Sequence, residues 1–215
     1  MTKVKICGNT NEHDAFRAAE LGADFLGFIV EVDFSEDSIT REEAKKLIKR
    51  LPLESRSVLV TYLDKAKEII ELAKEIKPEI IQLHNPKVDL KVIGKIRKAL
   101  PKTKLTKTIH VEDESAIEQA KKYGKYVDYI LLDTKAKGKL GGTGVVHNWE
   151  ISRKIVKSVK CKVFLAGGLT PTNVGIAIEK VEPFAVDTNS GVKAKPGKKD
   201  PIKLEKFIQR AKKCT

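Results

Sequence analysis

Residues 4–11 read VKICGNTN, and this stretch decides which α/β fold the chain adopts. Its first four residues are mostly apolar, as in a strand, and Gly8 and Asn9 then mark a turn. An open, doubly wound sheet that binds a dinucleotide normally carries G-x-G-x-x-G after its first strand. The first turn here is CGNTN, which lacks that motif and places Cys7 where the strand ends.

The rest of the chain repeats one unit, a short apolar run followed by an amphipathic segment of helix length. Strands are predicted at 4–7, 24–30, 57–62, 79–84, 104–109, 127–132, 162–166 and 183–187. Helices are predicted at 11–21, 41–51, 64–76, 88–99, 113–123, 149–158, 172–181 and 201–213. Strict alternation implies parallel strands with crossover helices, and eight short units fit a closed barrel. The sequence therefore predicts a minimal (β/α)8 TIM barrel of eight parallel strands with outer helices, a single domain over residues 1–215.

Composition and charge exclude several classes of protein. With 41% hydrophobic and 33% charged residues, the chain has the make-up of a soluble globular protein. No run approaches ~18 uninterrupted apolar residues and no apolar signal opens the chain, so we expect a cytoplasmic protein without a membrane partner. Three widely spaced cysteines (Cys7, Cys161 and Cys214) suit neither a complete disulfide framework nor a metal site. The net charge of +13 comes from lysines scattered over helical segments, which favours an anionic small molecule over nucleic acid.

Two glycine-rich loops follow the last two predicted strands. Gly167 and Gly168 precede Thr170 and Pro171, which we expect to cap and open the seventh helix. Ser190 and Gly191 follow the eighth strand, where a short helix can begin. In barrels of this kind these two loops often bind phosphate through backbone N–H groups and helix N-termini. Tight turns alone would also explain the glycines, but their position at adjacent strand ends predicts a phosphate site.

Two titratable side chains end predicted strands at the same edge of the barrel. Asp133 ends the apolar strand YILLD, where burial would raise the pKa of its carboxyl group and suit it to act as an acid. Cys7 ends the first strand, where a thiolate could act as a base or nucleophile. The alternatives are an Asp133 that caps its own loop and a Cys7 that is a small buried apolar residue.

Further residues follow other strands. Gln82 and His84 end the fourth strand and are candidate substrate contacts, although His84 could instead cap that strand. The segment GGTG at 141–144 has few side chains and could form a lid, which makes Gly142, Thr143 and Gly144 candidates as well.

Taken together, these windows resemble the phosphoribosylanthranilate isomerase family of tryptophan biosynthesis. The resemblance is carried in order by KICG (5–8), GADFLGFI (22–29), QLH (82–84), LLDT (131–134), GGTG (141–144), AGGLTPTNV (166–174), VDTNSGV (186–192) and PGKKDP (196–201). It implies an Amadori rearrangement of a phosphoribosyl anthranilate, without a metal or organic cofactor. The sequence leaves open whether the protein is a monomer or a homodimer. By position, Asp133 would be the general acid, Cys7 the general base, and Gly167, Gly168, Ser190 and Gly191 would hold the phosphate.

The resemblance breaks in the loop after the second strand. The family usually has an arginine there that pairs with the anthranilate carboxylate, whereas this chain reads FSEDSIT with Asp37 in that place. A carboxylate facing the substrate carboxylate would repel it, and Arg41, four residues further on, is the candidate to compensate. Asn189 also replaces a usual serine in the phosphate loop. Two alternatives therefore stay open: an isomerase for a different phosphorylated ribosylamine, and a non-catalytic protein that binds a sugar phosphate.

Overall fold

The computed structural model describes residues 1–134 and 146–214, and its strands and helices alternate as the sequence predicts. The barrel strands are β1 (Lys3–Ile6), β2 (Phe25–Val30), β4 (Arg56–Thr61), β5 (Ile80–Leu83), β6 (Lys104–Val111), β7 (Tyr129–Thr134), β8 (Lys162–Leu165) and β9 (Ala185–Thr188). The helices around them are α1 (Glu12–Glu20), α2 (Arg41–Lys49), α3 (Ala66–Ile76), α4 (Leu90–Ala99), α5 (Ser115–Tyr123), α6 (Trp149–Ser158), α7 (Val174–Val181) and α8 (Pro201–Lys213).

The eight barrel strands close into a cylinder because β1 pairs in parallel with both of its neighbours. On one side, Lys5 and Ile6 lie opposite Phe25 and Leu26 of β2. On the other side, the register of β1 with β9 sets Lys5 opposite Asp187. This closure confirms the predicted (β/α)8 barrel and excludes the open sheet.

Alternation along the strands divides the apolar side chains into two layers. On β7, Ile130 and Leu132 point outward and pack in the large core between strands and helices. Tyr129 and Leu131 point inward, into a second cluster that fills the barrel. The lower end of this interior is an aromatic cluster in which Phe25 and Phe164 meet edge to face at a centroid distance of 5.0 Å. Within the described residues, the lower end of the barrel is therefore filled by side chains.

Several short elements were not predicted from the sequence. The two-residue strand β3 (Ser38–Ile39) adds to β2, and a small hairpin of β10 (Lys193–Lys195) and β11 (Lys198–Lys199) follows β9. By contrast, the 3₁₀ helix over Ser190–Val192 lies where the sequence allows a short helix to begin. These elements surround the open end of the barrel, so they shape whatever binds there.

A side chain caps the start of α8, whereas α7 starts later than the sequence predicts. Asp200 accepts hydrogen bonds from the N–H groups of Ile202 and Lys203 and so caps α8 before Pro201. The expected start of the seventh helix at Thr170 and Pro171 was wrong, because α7 begins at Val174. The reason is Asn173, whose side chain accepts from the Thr170 N–H and donates to the Gly168 carbonyl, which holds these residues in a turn.

In residues 1–134 and 146–214, no helix is long and apolar enough to cross a membrane.

Asp24 ties together the closing strands and the last helix at the lower end of the barrel. Its carboxylate accepts from Lys3 at 2.7 Å, from the backbone N–H of Val4 at 2.9 Å and from Lys212 of α8. Burial by itself raises the pKa of Asp24, but these donors outweigh it and hold the pKa below its ordinary value of 3.8.

We expect Asp24→Asn to lower the free energy of unfolding by about 1–2 kcal/mol at neutral pH, since it removes charge-assisted bonds that are partly screened. A lowered pKa means that this contribution is complete above about pH 4 and is lost as the pH falls through the folded-state value. Urea unfolding between pH 7 and pH 3 measures this, with the exposed Glu54→Gln as a matched control. An unchanged difference between parent and Asp24→Asn over this pH range would contradict the assignment.

Candidate active site

A cavity of about 710 Å³ opens at the carboxyl ends of the strands. Seven of the catalytic and binding residues predicted from the sequence line it: Cys7, Gln82, His84, Asp133, Gly167, Gly168 and Ser190. Gly191 lies just behind the wall, and Arg41 lies outside the cavity. Gly142, Thr143 and Gly144, with the segment considered as a lid, lie outside the described residues.

The Cys7 thiol is buried between the ends of β1 and β2 and lies next to the Lys5 ammonium. Gly27 of β2 makes the room for both, because a Cβ atom there would lie 2.8 Å from Cys7 Sγ and 3.2 Å from Lys5 Nζ. Burial raises the pKa of the Cys7 thiol, and the charges of Lys5 and Lys199 partly offset that increase. The thiol therefore has cationic groups beside it that stabilise a thiolate.

Lys5 owes its place inside the barrel to Asp187. Its Nζ lies 3.0 Å and 3.1 Å from the two carboxylate oxygens of Asp187, and both side chains are buried. Burial alone would lower the pKa of Lys5, but Asp187 and Cys7 outweigh it, so the pKa is raised and the ammonium stays charged.

Asp133 lies in the same cavity but, unlike Asp187, has no ammonium of the described residues bound to its carboxyl group. Burial raises the pKa of its carboxyl group to about 6, and the negative charge of Asp187 adds to this increase. The Thr134 N–H, which donates to the carboxyl group at 2.8 Å, acts in the opposite direction. Its Oδ2 is 4.0 Å from Nε2 of His84. A carboxyl group with this pKa holds a proton in a useful fraction of molecules near neutral pH, as a general acid must.

His84 is neutral at physiological pH, because burial lowers its pKa to about 3. Its Nδ1 lies 3.2 Å from Thr108 Oγ1 and 3.3 Å from Gln82 Nε2. With Nδ1 as the acceptor of these two donors, the ring carries its hydrogen on Nε2, on the side of Asp133. Gln82 and Thr108 thus fix the ring that faces the carboxyl group.

The glycines after β8 and β9 allow close approach of backbone segments. Gly167 and Gly168 have φ values of 81° and 70°, a left-handed conformation that favours glycine. A Cβ atom on Gly191 would lie 1.9 Å from the Leu169 carbonyl oxygen, so only glycine lets the two loops touch. This contact joins the loops that were predicted to share a phosphate.

Asp37 does not present a bare carboxylate to the cavity, contrary to the expectation from the sequence. It is 2% exposed and accepts from Lys193 Nζ at 2.6 Å, from Asn189 Nδ2 at 2.8 Å and from the Gly197 N–H at 3.0 Å. Burial raises the pKa of Asp37, but these donors outweigh it and the pKa is below its ordinary range. The charge of Asp37 is therefore neutralised by an ion pair.

Asn189 and Lys199 extend this contact to Cys7. Asn189 Oδ1 accepts from Lys199 Nζ at 2.7 Å, and the same ammonium donates to the Cys7 carbonyl. The two departures from the family pattern, Asp37 and Asn189, are thus hydrogen-bonded to each other in one network.

Arg41 does not reach the cavity, so it does not compensate as the sequence suggested. It opens α2, and its guanidinium binds Glu31 at 2.7 Å and Glu75 at 3.0 Å on the outer surface. Position in the first turn of a helix directs this side chain away from the barrel mouth.

Sequence reasoning missed the buried cations of the site and one carboxylate. Lys5 and Lys199 were counted with the surface lysines, and Asp187 was given no role. Lys5 did carry a signal, a charged residue in the middle of an apolar strand, and Asp187 ends its strand as Asp133 does. Within the described residues, no group of three His, Cys, Asp or Glu side chains could hold a metal ion.

The fold and the cavity define the class: a (β/α)8-barrel enzyme with a thiol and a carboxyl group at the carboxyl ends of β1 and β7. The family model described as N-(5'phosphoribosyl)anthranilate (PRA) isomerase matches residues 4–210. The chain belongs to this family of isomerases.

Individual relatives agree with the family match. N-(5'-phosphoribosyl)anthranilate isomerase of Methanocella arvoryzae is 41% identical over 99% of both chains. The crystal structure of the isomerase from Thermotoga maritima has a TM-score of 0.89 and 35% identity, with 99% of this chain and 100% of that chain covered. A further isomerase structure, in complex with reduced 1-(o-carboxyphenylamino)-1-deoxyribulose 5-phosphate, has a TM-score of 0.85 and 33% identity, with 99% and 100% covered.

We expect Gly27→Ala to lower activity at least ~10-fold and also to lower the melting temperature, because the new methyl group overlaps the Cys7 thiol and displaces it from its productive position. Gly94→Ala is the matched control, since no atom lies within 4 Å of a Cβ there. Steady-state kinetics and thermal unfolding measure both effects. Full activity in Gly27→Ala would show that the thiol position does not matter.

We expect Asp133→Asn to raise the melting temperature at pH 7.5. The sign follows from the raised pKa, because an ionised carboxyl group in this site opposes folding once the pH exceeds its unfolded-state value near 3.8, most of all above about 6. The gain should shrink as the pH falls to 4.5, whereas Asp24→Asn, with a lowered pKa, should destabilise at pH 7.5. Thermal unfolding at both pH values decides it, and a pH-independent gain would refute a raised pKa.

Proposed function

We propose that the protein catalyses the Amadori rearrangement of N-(5-phosphoribosyl)anthranilate to 1-(2-carboxyphenylamino)-1-deoxyribulose 5-phosphate, with Asp133 as general acid and Cys7 as general base. The observation that carries this assignment is the pairing, in one cavity, of a carboxyl group with a raised pKa and a thiol beside a buried ammonium. The raised pKa lets the carboxyl group hold the proton that an acid donates, and the ammonium beside the thiol favours the thiolate that a base requires.

The phosphate of the substrate would bind the loops after β8 and β9. Gly167 and Gly168 line the cavity with little side-chain cover, and Ser190 opens the 3₁₀ turn whose first N–H groups have no partner within that turn. With Gly191 packed against Leu169, the loops lie close enough for one phosphate to bind both. Gln82 and His84 lie at the end of β5, where they would contact the ribose.

Ring opening is the first chemical step. Asp133 donates its proton to the ribose ring oxygen, the bond from that oxygen to C1′ breaks, and the nitrogen lone pair forms the C1′=N double bond of a Schiff base. Placing the acid in a largely buried site raises its pKa towards the working pH, which increases its efficiency.

Proton removal from C2′ follows. The Cys7 thiolate takes this proton, and the electron pair of the C–H bond moves to neutralise the Schiff base as an enolamine. Ketonisation then adds a proton at C1′ and removes one from the C2′ hydroxyl, so the protons given and taken balance over the cycle. Lys5 would stabilise the thiolate form before this step, since a neighbouring positive charge lowers the pKa of a thiol.

The other activity left open by the sequence, isomerisation of a different ribosylamine, depended on an unpaired Asp37. Because Asp37 is bound to Lys193 and Asn189, the feature that favoured this alternative is absent from the described cavity. A cytoplasmic, cofactor-independent enzyme that is a monomer or homodimer remains the prediction from the sequence.

We expect Cys7→Ser and Asp133→Asn each to lower kcat by about 10²–10⁴-fold, the usual range for loss of a general acid or base. The measurement is the enzyme-dependent decay of phosphoribosylanthranilate fluorescence, with spontaneous release of anthranilate subtracted. Cys161→Ser is the matched control, because Cys161 precedes β8 at the opposite end of the barrel. Unchanged turnover in either variant would refute its role, and no turnover by the parent protein would refute the proposed function.

A further inference from the structure

We propose that Lys193 is the residue that binds the aromatic carboxylate of the substrate. This inference rests on the proposed function, since it concerns the carboxylate of the anthranilate group. It assigns to β10, on the loop after β9, a contact that the sequence led us to seek in the loop after β2.

The charged side chains that line the cavity indicate which residue can bind the carboxylate of the substrate. Four acidic side chains line it: Glu36, Asp37, Asp133 and Asp187. Among the described residues that line it, Lys193 has the only cationic side chain, since His84 is neutral. A carboxylate that enters this cavity therefore has one cationic side chain of the described wall to bind, the Lys193 ammonium.

The ammonium of Lys193 lies away from the loops expected to bind phosphate. Although Lys193 follows Ser190 closely in sequence, its Nζ extends to the loop after β2, 2.6 Å from Asp37 Oδ2. In the barrel, β2 is separated from β8 by β9 and β1. The two anionic ends of the substrate would thus have separate sites, and β1, which carries Cys7 at its end, lies between them.

Lys193 keeps the capacity to bind a further anion. An ammonium group has three N–H donors, and Asp37 accepts one of them. Glu36 is 3.6 Å from Nζ, beyond a good hydrogen bond, and its side chain is 69% exposed, so a substrate carboxylate can displace it. Asp37 also binds Asn189 and Gly197, which holds it in place as the residue that positions Lys193.

Aromatic side chains lie on the same side of the cavity. Phe34, in the loop that carries Asp37, is 59% exposed and meets Tyr62 edge to face at 4.8 Å between ring centroids. Both rings line the cavity. An aromatic ring that carries a carboxylate matches a wall that offers exposed aromatic surface next to a single ammonium.

The test compares two ligands on each variant by calorimetry: reduced 1-(o-carboxyphenylamino)-1-deoxyribulose 5-phosphate and the same compound without its ring carboxylate. We expect the parent to bind the carboxylated ligand about 10–100-fold more tightly, the range for a charge-assisted hydrogen bond. Lys193→Met should abolish most of this preference and change the affinity for the other ligand less than about 3-fold.

Three variants control the comparison. Lys195→Met removes an exposed lysine two residues further along β10 and should leave the preference unchanged. Lys193→Arg keeps the positive charge and should retain most of the preference. Asp37→Asn combined with Lys193→Met avoids a buried, unpaired carboxylate and should lose the preference as Lys193→Met does.

Equal losses for both ligands in Lys193→Met would place Lys193 at the phosphate or in folding, and no loss for either would mean that it makes no contact. Either result overturns the inference but leaves the proposed function intact, provided that the parent protein still turns over phosphoribosylanthranilate. No turnover by the parent would instead refute the proposed function itself.

Discussion

The buried ion pair between Lys5 and Asp187 is the constraint on which the rest of the site depends. The two residues are register partners on β1 and β9, the strands that close the cylinder, and both point into the barrel. A slip of one residue would turn one of them outward into the apolar layer beneath the helices. Because an unpaired charge in either place is costly, the pair specifies the register of the closing strands as well as the electrostatics inside them.

The register of β1 and β9 also positions the polar groups at the open end of the barrel. Cys7 follows Lys5 by two residues, so it points to the same side and the thiol lies beside the ammonium. From the Cys7 carbonyl, hydrogen bonds run through Lys199, Asn189 and Asp37 to Lys193. This path contains positive, neutral and negative groups. It joins the ends of three neighbouring strands, β2, β1 and β9. The cavity wall is thus a connected polar network rather than a set of independent loops.

Three aspartates at this end of the barrel differ through their surroundings alone. Asp37 has an ammonium and two N–H donors, and its pKa is lowered. Asp187 is bound through both oxygens to Lys5. Asp133 has the backbone N–H of Thr134 and a neutral imidazole 4.0 Å away, and burial raises its pKa to about 6. The carboxyl group that binds no cation in the described part of the chain is the one suited to carry a proton. Aspartates in one cavity can therefore serve different purposes, with two in ion pairs and one as a general acid.

The sequence by itself determined the barrel, the two glycine-rich loops, and the positions of Cys7 and Asp133 at strand ends. These features depend on local rules, namely the two-residue period of strands, the 3.6-residue period of helices and the backbone freedom of glycine. Only the tertiary structure decided that Arg41 points outward to Glu31 and Glu75 and that Asp37 is paired with Lys193. Such pairs join distant parts of the chain, and no local pattern specifies them, because closure of the barrel alone fixes which strand ends become neighbours.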